Sequence, residues 1–509
     1  MWCGTCGAEN ENSARFCWNC GSPLEAAAYP PPRKPEPKRS KGGHKGLLIA
    51  AAAVLMVAVV SLLLWKPWNR SPYLKIDPEI MILGTNGAAY AVNSKGDYDT
   101  LEYDDGYHYP ITCLDNSKAV LFTADDEMLY YYDGSQITPI NEDVHSFSMS
   151  NNGDVVVYST KVDDDLTALW QYQKGKNTKI AECEVPYYNF NFCISPDGKT
   201  VAYSCDYGEE MLSYLWDGET REFGRNRSIL SLSNDAKLVY YTKLINDSVY
   251  VQKGLDENSS VKLAKNADDL YCASFNADHT EFIYSADDGT FLVQNGGEPE
   301  RISRDALYPA MPGASNYGYY WNTLPVKTFE SVLLYNSDKM AWLGKDLETH
   351  TVASNLDSSQ ITLLEDGKTA YYTKNESLRR VDASKEGAES ETIAEDVAWF
   401  WVSMDGKNIY YYQEDEGIFA KSGKDKAVLV SDEVDIMSGG DFVGNSFYYI
   451  IDGELYCSDG GRSKRIASFD GLATDVFSGG SRFLAVELDG REGWAFSIDG
   501  GETFTELPA

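Results

Sequence analysis

The chain has 509 residues, with 78 Asp+Glu against 44 Lys+Arg and a formal net charge of −34. That length exceeds one ordinary domain of ~100–200 residues, and 43% hydrophobic residues exclude a disordered acidic polymer. The acidity excludes nucleic acid as the main partner and disfavours a peripheral grip on anionic lipid, since both require a positive surface. The charge is uneven. Residues 1–65 hold seven basic and four acidic residues, a net of +3, which leaves 37 basic and 74 acidic residues, a net of −37, for 66–509.

The first element, residues 1–25, carries Cys3-Gly-Thr-Cys6 and, ten residues later, Cys17-Trp-Asn-Cys20, each pair followed by glycine (Gly7, Gly21). A CxxC knuckle turns two thiolates toward one ion, and two knuckles supply the tetrahedral sulfur set that zinc prefers. One structural Zn²⁺ on Cys3, Cys6, Cys17 and Cys20 is the expectation. So short a segment buries too little apolar surface to fold alone, so the metal would supply the folding energy. A redox pair is the weaker alternative, because such motifs come singly in a βαβ context. The segment resembles the zinc-ribbon family seen at the N-termini of many bacterial membrane proteins, with an unusually short spacing between knuckles. It serves either as a docking module for a cytoplasmic partner or as a structural cap.

Residues 26–45 read as a linker, in which Pro30, Pro31, Pro32, Pro35 and Pro37 accompany Lys34, Lys38, Arg39, Lys41 and Lys45. Proline at this density favours extended polyproline II. Gly46 to Trp65 (GLLIAAAAVLMVAVVSLLLW) is uncharged, and twenty helical residues span about 30 Å, one bilayer core. The upstream basic cluster predicts a cytoplasmic N-terminus, and Trp65 and Trp68 suit the interface. The span begins too late and lacks the small-residue site of a cleaved signal, so it reads as a signal anchor. On this reading the chain is a single-pass membrane protein with its C-terminal domain outside the cytoplasm.

Residues 73–509 repeat one pattern: a hydrophobic strand, a turn of Asn, Asp or Gly, then Tyr-rich strands and a polar turn. Turn anchors fall near Asn116, Gly153, Gly198, Asp235, Asp278, Gly367, Gly406, Asn445 and Gly480, with a weaker unit around Leu333–Leu343. The spacing averages about 40 residues, the period of a four-stranded propeller blade. With a first unit near Ile80–Tyr103 there are about ten or eleven repeats, in one large ring or two. The fold class is mainly all-β, and a break is expected near 303–325, where Pro309, Pro312 and Pro325 fall. The segment Ser195-Pro196-Asp197-Gly198-Lys199-Thr200-Val201-Ala202-Tyr203 resembles the WD40-like repeat of the TolB-type propeller family. That resemblance implies a propeller and, in many relatives, a protein-binding scaffold, with no catalytic residues. Near the end, Ser497-Ile498-Asp499-Gly500-Gly501-Glu502-Thr503-Phe504 fits the Asp-box pattern of sialidases and sortilin-like propellers, read here as a structural turn.

No HExxH or GxSxG motif occurs, and the five His are scattered. The acidic runs Asp104-Asp105, Asp163-Asp164-Asp165 and Asp287-Asp288 read as solvated loops. Ca²⁺ binding lacks EF-hand support. Six further cysteines (Cys113, Cys183, Cys193, Cys205, Cys272, Cys457) are open to disulfides or buried thiols. Cys193 and Cys205 flank one turn as candidate neighbours, and spacing leaves the pairing open. The aromatic runs Tyr130–Tyr132, Trp399–Trp401 and Tyr410–Tyr412 read as packing or as a stacking platform. The functional expectation is a membrane-anchored binding, scaffold or sensor protein whose outer propeller takes a protein or an envelope glycan. The alternative is a glycan-active hydrolase using propeller-face carboxylates.

Overall fold

The computed structural model describes residues 6, 8–11 and 16–20, and 71–509 apart from 76, 86, 103–110, 116–117, 124–126, 313–321, 358–359, 415, 433–439, 461–462, 468, 470, 490–492 and 508–509. Residues 1–70 and 71–509 are two separate units. The linker 26–45 and the span 46–65 lie outside the described residues, as does Cys3. Among the described residues no helix is long and apolar enough to cross a membrane.

The described residues of 71–509 form eleven sheets, antiparallel but for one short parallel pair. In chain order these blades cover 80–102, 111–141, 144–183, 190–225, 227–264, 271–303, 308–354, 361–394, 399–431, 440–467 and 473–506. Blade 1 has three described strands and the others four or five, so the upper of the two expected counts holds. The reason for the strands is visible in burial. Second strands such as Val120–Thr123 and Val201–Asp206 are covered on both faces and read as near-continuous apolar runs. Fourth strands such as Lys176–Cys183 are mostly exposed and polar.

The turn between the first two strands of a blade explains the repeated Ser-x-Asp-Gly-Lys-Thr pattern. Ser150, Ser195, Ser233 and Ser403 are buried, and each hydroxyl accepts a backbone N–H five residues on: Val155 (3.1 Å), Thr200 (3.0 Å), Leu238 (2.8 Å) and Asn408 (3.0 Å). Asn276 does the same for Glu281 at 2.9 Å. Such a side chain caps a turn whose amides no strand can pair. Three residues into the turn the backbone enters the left-handed region, at φ +78° in Gly153, +73° in Gly198 and +69° in Gly406. Glycine suits this slot twice over, because a Cβ on Gly406 would meet Leu364 Cδ1 at 2.5 Å on the preceding blade.

Blades stack through their apolar faces, and the stack closes. Buried clusters join blades 1 and 2 (Ala91, Phe122), 2 and 3 (Leu121, Tyr158), 3 and 4 (Val157, Tyr203), 4 and 5 (Leu215, Tyr241), and 5 and 6 (Tyr240, Phe282). One larger cluster runs unbroken through blades 6, 7 and 8, from Ile283 through Leu333 to Tyr372. Further clusters join 8 to 9, 9 to 10 and 10 to 11. The last joins blade 11 back to blade 1 through Phe483, Trp494, Phe496, Leu83 and Tyr90. The eleven blades therefore form one closed series of interfaces. Among the described residues no strand is exchanged between blades 1 and 11, and packing joins them, aided by Trp494 Nε1 donating to the Gly84 carbonyl at 2.9 Å.

The stretch 303–325 contains a local exchange. Tyr308–Pro309 starts blade 7, whereas Asn322–Thr323 pairs in parallel with the first strand of blade 6. Glu281, buried on blade 6, pins the following segment by accepting from the Phe329 amide (2.6 Å) and Thr328 (2.9 Å). Tyr73 bridges antiparallel to Val326, and Asp77 accepts from the Ser481 amide at 3.0 Å. The residues entering blade 1 are thereby tied to blade 11 and to the segment between blades 6 and 7.

A disulfide joins Cys183, at the end of blade 3, to Cys205 on the second strand of blade 4. The candidate neighbours Cys193 and Cys205 are not partners. The register sets Cys193 opposite Ala202 and Cys205 opposite Phe190, so the Cys205 sulfur meets the adjoining blade instead. Cys113, Cys193 and Cys457 are free thiols.

Candidate functional site

Two places hold concentrated chemistry. In the N-terminal unit, the sulfurs of Cys6, Cys17 and Cys20 lie within 4.8 Å of one another, and those of Cys6 and Cys17 are 3.6 Å apart. That separation is far beyond a disulfide bond of about 2.05 Å. It fits two ligands of a tetrahedral zinc, for which Zn–S of about 2.3 Å places sulfurs about 3.8 Å apart. Burial opposes charge on Cys17. Backbone N–H groups of Cys20 and Asn19 and the Asn10 amide (3.6 Å) outweigh it and lower the thiol to about 6. On Cys6 a backbone bond at Ala8 favours the thiolate, but the Cys20 sulfur beside it opposes, and the thiol rises to about 11. Clustered sulfurs resist joint ionisation, a resistance that a bound dication reverses. Asn10 also accepts from the Trp18 amide at 2.9 Å and donates to the Ala8 carbonyl at 2.8 Å, so one side chain braces both knuckles. These residues fit a structural metal. Three of the four expected ligands come together, and the fourth, Cys3, lies outside the described residues.

In the propeller, a cavity of about 140 Å³ opens where the first strands of blades 3 to 6 end. Its lining includes Ser148 and Asn151 of blade 3, Cys193 of blade 4, Ser231 of blade 5, and Phe275 and His279 of blade 6. Asn151 Nδ2 donates to the Ala277 carbonyl at 2.6 Å, which draws blade 3 onto blade 6 and tightens this arc of the ring. His279 Nδ1 stands 2.6 Å from Ser231 Oγ, and its ring stacks on Phe275 with centroids 4.8 Å apart. Burial dominates its ionisation and lowers it to about 4, against the Leu232 backbone and Asp278, which favour the cation. The imidazole is therefore neutral at neutral pH. Burial likewise pushes the Cys193 thiol up, so it stays protonated.

The acidic runs lie elsewhere. Asp163, Asp164 and Asp165 sit at an exposed hairpin, where Asp164 pairs with Lys161 at 2.7 Å. Asp287 and Asp288 are exposed at another hairpin, and Asp104-Asp105 lies outside the described residues. The aromatic runs serve packing more than display: Tyr132 and Tyr410 are fully buried, and Tyr410 donates to Ser458 at 3.0 Å across blades 9 and 10. Trp399, 59% exposed, is the exception. The Asp-box is a braced turn, as expected. Asp499 accepts from Ser497 (2.7 Å), Thr503 Oγ1 (2.6 Å) and two backbone amides.

The reading of the residues alone did not single out Ser231 or His279. The signal was available: in the aligned turns, the slot held by Gly153, Gly198, Gly367 and Gly406 is filled by His279.

Residues 2–25 match a family described as a domain of unknown function (DUF7577). No curated protein matches the chain. Among solved structures, TolB from Acinetobacter baumannii is 16% identical with a TM-score of 0.28, the match covering 43% of this chain and 61% of that one. A functionally unknown protein from Desulfotomaculum acetoxidans DSM 771 is 12% identical with a TM-score of 0.31, covering 62% of this chain and 100% of that one. The tricorn protease is 12% identical with a TM-score of 0.32, covering 86% of this chain and 58% of that one. At these scores none of the three speaks to ligand or chemistry.

Proposed function

We propose that the protein is a single-pass, membrane-anchored binding or scaffold protein, with a metal-loaded head in the cytoplasm and a propeller outside it that captures a protein or glycan. The observation that carries the reading is the division of cysteine chemistry along the chain. Cys6, Cys17 and Cys20 are clustered thiols, whereas Cys183 and Cys205 are joined. Persistent disulfides belong to oxidising compartments and thiol metal sites to reducing ones. The uncharged stretch 46–65, with basic residues before it, lies between the two.

Two further observations support capture as the task. The cavity is lined by neutral groups and not by the paired carboxylates that glycoside hydrolysis uses. On the head, Phe16 and Trp18 are 62% and 76% exposed, which suits docking of a cytoplasmic partner. Protease added to intact cells expressing the full chain tests the arrangement. The propeller is expected to be degraded while an N-terminal tag survives; loss of the N-terminal tag with a protected propeller overturns it.

A further inference from the structure

The pocket among blades 3 to 6 has three properties that belong together. It is neutral inside an intensely acidic domain: its described lining contains no Asp, Glu, Lys or Arg. Its polar groups, the hydroxyls of Ser148 and Ser231, the Asn151 amide and the His279 imidazole, are of types that both donate and accept. Its volume of about 140 Å³ is close to that of a cavity that holds a benzene, roughly 150 Å³, so it takes the ring of one ligand and leaves the larger ring substituents outside.

His279 marks the pocket as more than a packing defect. Its turn has the same bonds as its neighbours: the Asn276 amide donates to the Glu281 carbonyl (3.1 Å), and the His279 amide to the Asn276 carbonyl (3.0 Å), as Gly198 does to Ser195 (2.8 Å). At this slot four other blades carry glycine and blade 5 carries Ala236 at φ +48°, and His279 adopts the same left-handed backbone at φ +55° with the one large side chain among these turns. A branched-ring side chain there costs local strain that glycine avoids, and such departures concentrate at functional sites. The ring it introduces reaches the seam with blade 5, bonds Ser231 and faces the cavity.

We propose that this pocket binds one uncharged sugar ring, with the hydroxyls of the sugar paired to Ser148, Asn151 and Ser231, the last held in place by His279, and its C–H face against the apolar wall of Met149 and Leu230. A charged ligand is disfavoured because nothing in the lining would compensate its desolvation. The proposal rests on the propeller being a binding module and names the ligand class.

The test uses the full chain in detergent micelles, with N-acetylglucosamine, glucose, glucuronate and benzyl alcohol as probes in saturation-transfer NMR titrations. A neutral sugar is expected to bind saturably, at least tenfold more tightly than glucuronate or benzyl alcohol. His279→Gly installs the residue that four of the other turns carry and so is expected to fold, yet to weaken the sugar at least tenfold. Ser231→Ala is the second variant and is expected to weaken it as well. Absence of saturable binding by either neutral sugar, preference for glucuronate or benzyl alcohol, or unchanged binding in both variants overturns the proposal. Those results leave the anchored-propeller reading standing, because that one fails only on topology.

Discussion

Replacing His279 by glycine separates a functional residue from a structural one by its effect on stability against pH. The imidazole ionises at about 4 in the folded protein against an ordinary value of 6.5. A base whose folded value is depressed stabilises the fold fully above the unfolded value, and that contribution is lost as pH falls from 6.5 toward 4. At about 1.4 kcal/mol per pKa unit, the loss at pH 4 is roughly 3 kcal/mol. For a unit spanning residues 71–509, unfolding entropy of roughly 0.9 kcal/mol/K converts this into about 3 °C of melting temperature. At pH 7 the variant gains back about 1 kcal/mol of backbone strain. It loses the Ser231 hydrogen bond, worth about 1 kcal/mol, and the packing of the buried ring on Phe275, which costs further, so the variant should melt below the wild type there. From pH 7 to pH 4 its melting temperature should rise by about 3 °C relative to that of the wild type. Scanning calorimetry of both proteins at pH 7, 5.5 and 4 reads the difference. Parallel melting curves across that range would refute the neutral, buried imidazole.

Other consequences follow from the same geometry. Trp494→Ala removes the largest side chain at the blade 11 to blade 1 seam and the bond to Gly84, and should cost about 3–5 kcal/mol; amide exchange is expected to rise first in blades 1 and 11. Metal analysis of the full chain should find one zinc, and Cys17→Ser with Cys20→Ser should abolish it while leaving the propeller's melting transition unchanged. Burial opposes charge on Asp499, but bonds from Ser497, Thr503 and two amides outweigh it and lower the carboxyl to about 2. Its contribution is therefore present above the ordinary carboxylate value and lost as pH falls from about 4 toward 2; Asp499→Asn should flatten unfolding curves in that window only.

Much of the propeller is legible in the residues because its turns use local chemistry. Ser195, Asp197 and Gly198 specify the first turn of blade 4 through bonds only five residues long. The same logic placed nearly every blade. Blade 7 is faint because its first strand, Tyr308–Pro309, is separated from its second, Val332–Tyr335, by the exchanged strand Asn322–Thr323. Whether the blades made one ring or two was not legible, because closure rests on Leu83 meeting Phe483 and Trp494 across some four hundred residues of chain. The disulfide was hidden for a related reason: Cys183 and Cys205 meet between blades, and spacing within one blade suggested Cys193 instead. His279 illustrates a different limit. Glycine fills that slot in four turns and Ala236 in a fifth, and the imidazole becomes meaningful only once its ring is seen beside Ser231.

The central claim is that one chain holds thiols on one side of a membrane and a disulfide on the other. Labelling intact cells with a membrane-impermeant maleimide, followed by lysis and labelling of the denatured chain with and without reductant, tests it most directly. The account predicts that Cys6, Cys17 and Cys20 stay unlabelled in intact cells, and that Cys183 and Cys205, buried in the fold, become labelled after denaturation only when reductant is added. Labelling of the head cysteines in intact cells, or of Cys183 and Cys205 without reductant, would contradict it.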